Sequence, residues 1–122
     1  MTRYLVATAS TEVTAAACDY LEPRLTGDDE VYVLTVDEAA NPITERTALL
    51  RLAQERLADT VEVRTIRRTG DPTREIVQFA REKSVDEIII GPRRAAGPKI
   101  GSSMRAVLNR VEVPVFVVPL SP

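Results

Sequence analysis

The sequence predicts an α/β fold: a five-stranded, parallel, doubly wound sheet with four helices. Three observations carry this. Short apolar runs of strand type alternate with segments whose apolar residues recur at helical spacing, in the order βαβαβαβαβ. Strict alternation of this kind gives a parallel sheet with helices on both faces. The 122 residues make about one domain at roughly 150 residues each, spanning residues 1–122.

Taken in order, Tyr4-Leu5-Val6-Ala7-Thr8 is short and apolar and reads as a buried strand. Val13, Ala16, Ala17, Tyr20 and Leu21 then lie on one helix face, with Ser10 or Thr11 as the cap and Pro23 and Gly27 near its end. Glu30–Val36 is rich in β-branched residues and reads as the second strand. Asn41-Pro42 predicts an N-cap followed by Pro at the first helical position, and Leu49, Leu50, Ala53 and Leu57 continue that helix. Val61, Val63 and Thr65 alternate with Glu62, Arg64 and Ile66, a third strand of weaker apolar character that suits a sheet edge. Gly70-Asp71-Pro72 is a turn into a helix capped by Asp71, whose buried face carries Ile76, Val77 and Ala80. Asp86–Gly91 is a strand ending in glycine, and residues 92–100 form a loop. Met104, Val107, Leu108 and Val111 stand at helical spacing, and Val113–Val118 closes the chain as a strand. Pro114 cannot donate to a ladder, so that strand lies or begins at an edge.

A five-stranded doubly wound sheet takes the order 3-2-1-4-5 or 2-1-3-4-5, with right-handed crossovers. In both, ligands bind beyond the strand C-termini, where the order reverses.

Composition removes several functions. A hydrophobic share of 44% with 28% charged residues is that of a folded globular chain. The net charge of −2 and 4% aromatics argue against a general nucleic-acid binder. The apolar runs fall far short of the ~20 residues of a membrane span. There is no histidine, so Ser-His-Asp and Cys-His catalysis are excluded and a zinc site is not expected. Cys18 has no disulfide partner in the chain. With no leader-like segment after Met1-Thr2-Arg3, this gives the expectation of a cytoplasmic protein. Cys18 lies on the apolar helix and is read as core, Asp71 as a cap, and Asp28-Asp29-Glu30 as a solvated turn. Asp37-Glu38 and Asp86-Glu87 are not read as a catalytic pair.

Chemistry is therefore sought at the strand ends. One place is Ala7-Thr8-Ala9-Ser10. The other is the segment from Gly91 to Ser103, which holds Gly91, Gly97 and Gly101, three of the chain's five glycines. Its cations are Arg93, Arg94 and Lys99, and it ends at a helix N-terminus with Ser102 and Ser103. Glycines admit close backbone approach, and a helix N-terminus offers unpaired N–H groups and partial positive charge. Together they suit an anion. The same residues also serve as plain turns and a cap, so the segment alone leaves both readings open.

Over nearly its whole length the chain resembles the universal stress protein family. The resemblance is carried by Arg3–Thr8, Val31–Val36 with Asp37, Gly70-Asp71-Pro72 with Ile76 and Ala80, Asp86–Gly91, Gly101-Ser102 and Val113–Val118. It implies a Rossmann-like fold in the order 3-2-1-4-5, homodimers formed through the last strand, and ATP as the candidate cofactor. It also implies that Ala7, Val36 and Ile90 line an adenine pocket. The family's nucleotide motif is glycine, two residues, glycine, nine residues, then glycine and serine or threonine. Here Gly91 matches, the second glycine is Arg94, and Gly101-Ser102 matches after a loop three residues shorter. That is up to ~10 Å of extended reach. Ala9 stands where nucleotide binders carry an aspartate.

Two readings follow. In one, the chain is a stress-linked regulatory module binding a nucleotide or other small anion at the loop before the last helix, with Arg93, Arg94 and Lys99 replacing glycine amides. In the other, it is a dimeric interaction module that binds no nucleotide. A slow ATPase is a third reading, and it lacks a histidine or a loop carboxylate to activate water.

Overall fold

Strand β1 (Arg3–Ala7) runs up the middle of a five-stranded parallel sheet, and each later element is placed relative to it. A computed structural model describes residues 1–38, 43–92 and 102–120, and within these leaves out the side chains of residues 102–104 and 108. The elements that follow β1 are α1 (Thr11–Leu21), β2 (Glu30–Asp37), α2 (Arg46–Leu57), β3 (Glu62–Thr69), α3 (Pro72–Glu82), β4 (Glu87–Ile90), α4 (Ser102–Arg110) and β5 (Val115–Val117). The strand order is β3-β2-β1-β4-β5, which selects one of the two orders the alternation allows.

The central strands are apolar on both sides because both sides are covered. On β2, Val31 and Val33 face α1 and α2, while Tyr32 and Leu34 face α3. On β4, Ile89 joins the first of these layers, and Ile88 and Ile90 join the second. Phe79 of α3, 1% exposed, meets the Tyr32 ring edge-on at 5.4 Å. β3 lies at one edge, as its weak apolar character predicts, and carries Arg64, Arg67 and Arg68. Such charges discourage pairing with a further strand. β5 lies at the other edge and is shorter than the expected Val113–Val118. Pro114 stays outside it, accepting a backbone bond from Ile88.

Caps and turns mostly follow the local chemistry. Ser10, not Thr11, caps α1, its hydroxyl accepting from Val13 N at 3.2 Å. Asp71 caps α3 by accepting from Arg74 N at 2.9 Å, with Pro72 opening the helix. Gly70 has φ +142°, a conformation side-chain-bearing residues avoid, and its N–H donates to the Asp37 carbonyl. Cys18 is buried, and burial pushes its thiol up to about 11, so it is inert core.

Two expectations are corrected. Helix α2 starts at Arg46 with Glu45 as N-cap, not at Pro42; Asn41 and Pro42 themselves lie outside the described residues. The cause is Asp37. Its carboxylate accepts from Ile43 N at 2.8 Å and pairs with Arg46, which holds the approach to α2 as a turn. The second correction is Asp29, which is buried rather than solvated. Its two oxygens accept from Thr2 N at 2.8 Å and Thr26 N at 2.9 Å, tying the chain start to the α1–β2 turn. The bond from Thr26 N is the main reason its carboxyl is held below the usual carboxylate range.

Two outcomes are expected. Thr35, fully buried on β2, has a hydroxyl with no hydrogen-bond partner among the described residues. Thr35→Val therefore raises stability by about 1 kcal/mol in urea denaturation, and a loss of stability would show that the hydroxyl is satisfied. Because the folded form depresses the Asp29 pKa, its contribution is present above the unfolded value of about 4 and is lost as pH falls through the folded one. Asp29→Asn should lower the urea midpoint at neutral pH and flatten its fall in acid. Parallel midpoint-against-pH curves would refute this.

Candidate functional site

The strand order reverses between β1 and β4, which pair in parallel with Ala7 beside Ile90. Neighbouring strands here send their connections to opposite faces, which opens a crevice beyond their C-termini. Ala7 also pairs with Leu34, and Val36 follows two residues on along β2. Ala7, Val36 and Ile90 thus lie on one face of three adjacent strands, the face that α3 and α4 cover. Ile90 is 5% exposed, while Ala7 and Val36 are half-buried, so the three form an apolar shelf partly open to solvent. The pairing of β2, β1 and β4 sets these residues side by side.

The other side of the crevice is polar. Ala9 is exposed in the β1–α1 turn. Behind it Thr8 and Thr14 share a hydroxyl contact of 3.0 Å, and both donate to the Ser10 carbonyl, at 3.0 and 2.8 Å. The α1 N-terminus is already engaged by the chain itself. Ser10 Oγ takes Val13 N, and the Glu45 carboxylate takes Thr11 N at 3.0 Å. Glu45 lies 34 residues from Thr11, so no local pattern announces the contact. The carboxylate supplies what a bound anion would supply at a helix N-terminus.

Asp37, at the end of β2, is consumed in the same way. Besides Arg46 it pairs with Arg67 Nε at 3.3 Å, and it is 7% exposed. It braces the loop and is not a free acid. Among the described residues, no group of three or more Cys, Asp or Glu side chains could hold a metal.

Gly91 follows β4 directly, and its geometry supplies a reason for glycine there. A Cβ would sit 2.5 and 2.7 Å from the two methyl carbons of Val13. That close approach seats the first turn of α1 against the end of β4. The absent side chain points at α1, on the sheet face opposite the apolar shelf. Arg93, Arg94, Gly97, Lys99 and Gly101 lie outside the described residues, as do the side chains of Ser102 and Ser103. The backbone of Ser102 opens α4. That N-terminus faces the crevice end of the sheet, because a crossover helix runs antiparallel to its strands.

A parallel sheet in this order, with an apolar shelf and a helix N-terminus at its reversal, defines a doubly wound α/β protein of the Rossmann-like class. Comparison with known proteins narrows the class. The universal stress protein family profile matches residues 1–119. The universal stress protein YxiE of Bacillus subtilis is 34% identical over 88 residues, 68% of this chain. The match spans 60% of that protein's own length. The solved structure of hypothetical protein MJ0577 superposes with a TM-score of 0.81 at 25% identity, over 96% of this chain and 94% of that one. A universal stress protein family member from Arabidopsis thaliana, solved with AMP bound, superposes with a TM-score of 0.75 at 21% identity. It covers 99% of this chain and 93% of that one, and shows a shared fold. The chain belongs to the universal stress protein family.

Gly91→Ala should destabilise the fold by about 1–3 kcal/mol, the range for overpacking a well-filled site. Adding Val13→Ala to that variant should recover part of the loss. Thermal and urea denaturation of the two single variants and the pair checks this. Additive losses would show that Gly91 and Val13 do not compete for the same space.

Proposed function

We propose that the chain is a universal stress protein-like regulatory module that takes an adenine nucleotide, with ATP the candidate, or another small anion in the crevice beyond β1 and β4. The observation that supports this best is the half-open apolar shelf of Ala7, Val36 and Ile90 at the strand reversal. A flat aromatic base fits such a surface, and an anion fits the helix N-terminus beside it. In this reading the base rests on the shelf with Ala9 at its rim. Gly97, Gly101, Ser102 and Ser103 offer amides and hydroxyls to the phosphates, and Arg93, Arg94 and Lys99 offer charge. Gly91 contributes by seating α1 against the crevice wall. The AMP bound to the Arabidopsis relative is consistent with this ligand class.

A second reading, a dimeric interaction module without nucleotide, has its own support. The Glu45 carboxylate already occupies the α1 N-terminus, and Ala9 offers no carboxylate. The two sheet edges are also unequal. β3 presents arginines, whereas β5 presents half-buried Val115, Phe116 and Val117. A second copy pairing through Val113–Val118 is the dimer this reading proposes.

The experiment is to denature freshly purified protein and search the supernatant for nucleotide by absorbance and mass spectrometry, then to titrate the emptied protein with AMP and with ATP and magnesium. Near-stoichiometric nucleotide, or a saturable thermal shift lost in Lys99→Ala and Gly101→Val, is expected. Clean protein with no shift for any nucleotide overturns the first reading in favour of the second.

A further inference from the structure

Helix α3 carries two charge stripes of seven-residue period, and they have different fates. Glu75 and Glu82 both turn to Arg68 of β3, at 3.5 and 2.9 Å, and Glu82 also accepts from Gln78 at 3.0 Å. Arg68 in turn lies over the Phe79 ring at 5.1 Å. The carboxylates of α3 are thereby spent inside the fold. Arg74 and Arg81 lie on the neighbouring stripe and are exposed. They line an open groove of about 700 Å³ between α3 and the end of α4, with Val77, Gln78, Glu82 and Arg110. Arg81 donates to the Arg110 carbonyl at 3.1 Å, which fixes its guanidinium across the two helices. Among the described residues, no carboxylate lies within ion-pair distance of Arg74, Arg81 or Arg110.

The groove thus holds three cations against one carboxylate already engaged by Arg68, in a chain whose net charge is −2. Its floor is Val77, 5% exposed. Seven residues at 1.5 Å each separate Arg74 from Arg81 by about 10 Å along the helix. An acidic helix with carboxylates at i and i+7 repeats that spacing and carries apolar side chains at i+3 and i+4 to meet Val77. Arginine forks pair with carboxylates in bidentate fashion, so the match is geometric as well as electrostatic.

We propose that the α3/α4 groove is a docking site for an acidic amphipathic helix of a partner protein, gripped by Arg74 and Arg81 around Val77 and closed by Arg110. Arg81 and Arg110 stand near the C-terminal ends of α3 and α4, the ends away from the crevice, while Arg74 lies in the first turn of α3. A nucleic acid is disfavoured, because the three cations are local and the rest of the chain is acidic.

The test uses the whole protein and a fluorescent helical peptide of about 15 residues, long enough to hold helix, with Glu at i and i+7 and Leu at i+3 and i+4. Anisotropy is read at low ionic strength, where screening is weak. Saturable binding is expected, weakened at least about tenfold by Arg74→Glu. Arg110→Gln should weaken it less. Arg51→Glu, on the exposed side of α2, changes net charge equally and should leave affinity within about twofold. Urea midpoints verify that each variant is folded. The proposal is overturned by absent binding, by equal loss with Arg51→Glu, by equal affinity for a scrambled peptide, or by tighter binding of a single-stranded oligonucleotide. Dissociation of the protein's own oligomer on Arg74→Glu would overturn it too, making the groove a self-interface.

Discussion

Everything in this fold depends on covering both faces of β1. It pairs with β2 on one side and β4 on the other, so its backbone polarity is satisfied within the sheet and its side chains must be buried by helices. With α1 and α2 on one face and α3 and α4 on the other, the connections from β1 and β4 leave on opposite sides. The crevice is the geometric consequence of that divergence. Its apolar shelf is the last stretch of the same core, left incompletely covered where the strands end.

Close packing at this end is exacting. The end of β4 and the first turn of α1 approach so closely that Gly91 leaves Val13 no room for a facing methyl group. Gly91 therefore answers to two demands that sequence spacing does not separate. It matches the first glycine of the family's nucleotide motif, and it lets a helix touch a strand. The contact with Val13 accounts for glycine at this position by packing alone.

Charge is distributed by a similar economy. Several carboxylates are engaged within the chain: Asp37 with Arg46 and Arg67, Glu75 and the exposed Glu82 with Arg68, and the exposed Glu45 with the α1 N-terminus. Exposed pairs of this kind add little stability each. Their effect is rather on the potential at the surface. Where α3 gives up its carboxylates to β3, its arginine stripe is left to dominate the groove beside α4. A net charge of −2 conceals that local excess.

The sequence by itself determined the alternation of strands and helices, the Asp71 cap with Pro72 behind it, the edge character of β3 and the buried runs of β2 and β4, because each rests on neighbours in the chain. Ala7, Val36 and Ile90 came forward together through the family resemblance, and the pairing of β2, β1 and β4 sets them side by side. Only the tertiary structure decided the late start of α2, where Asp37 binds a segment that local propensity assigns to helix. The same is true of the burial of Asp29, of Glu45 on Thr11 N, and of Val13 against Gly91. These are contacts between residues distant in sequence or brought together by a turn. Their energies depend on distances that no periodicity encodes, so they exist only once the sheet has set the helices in place.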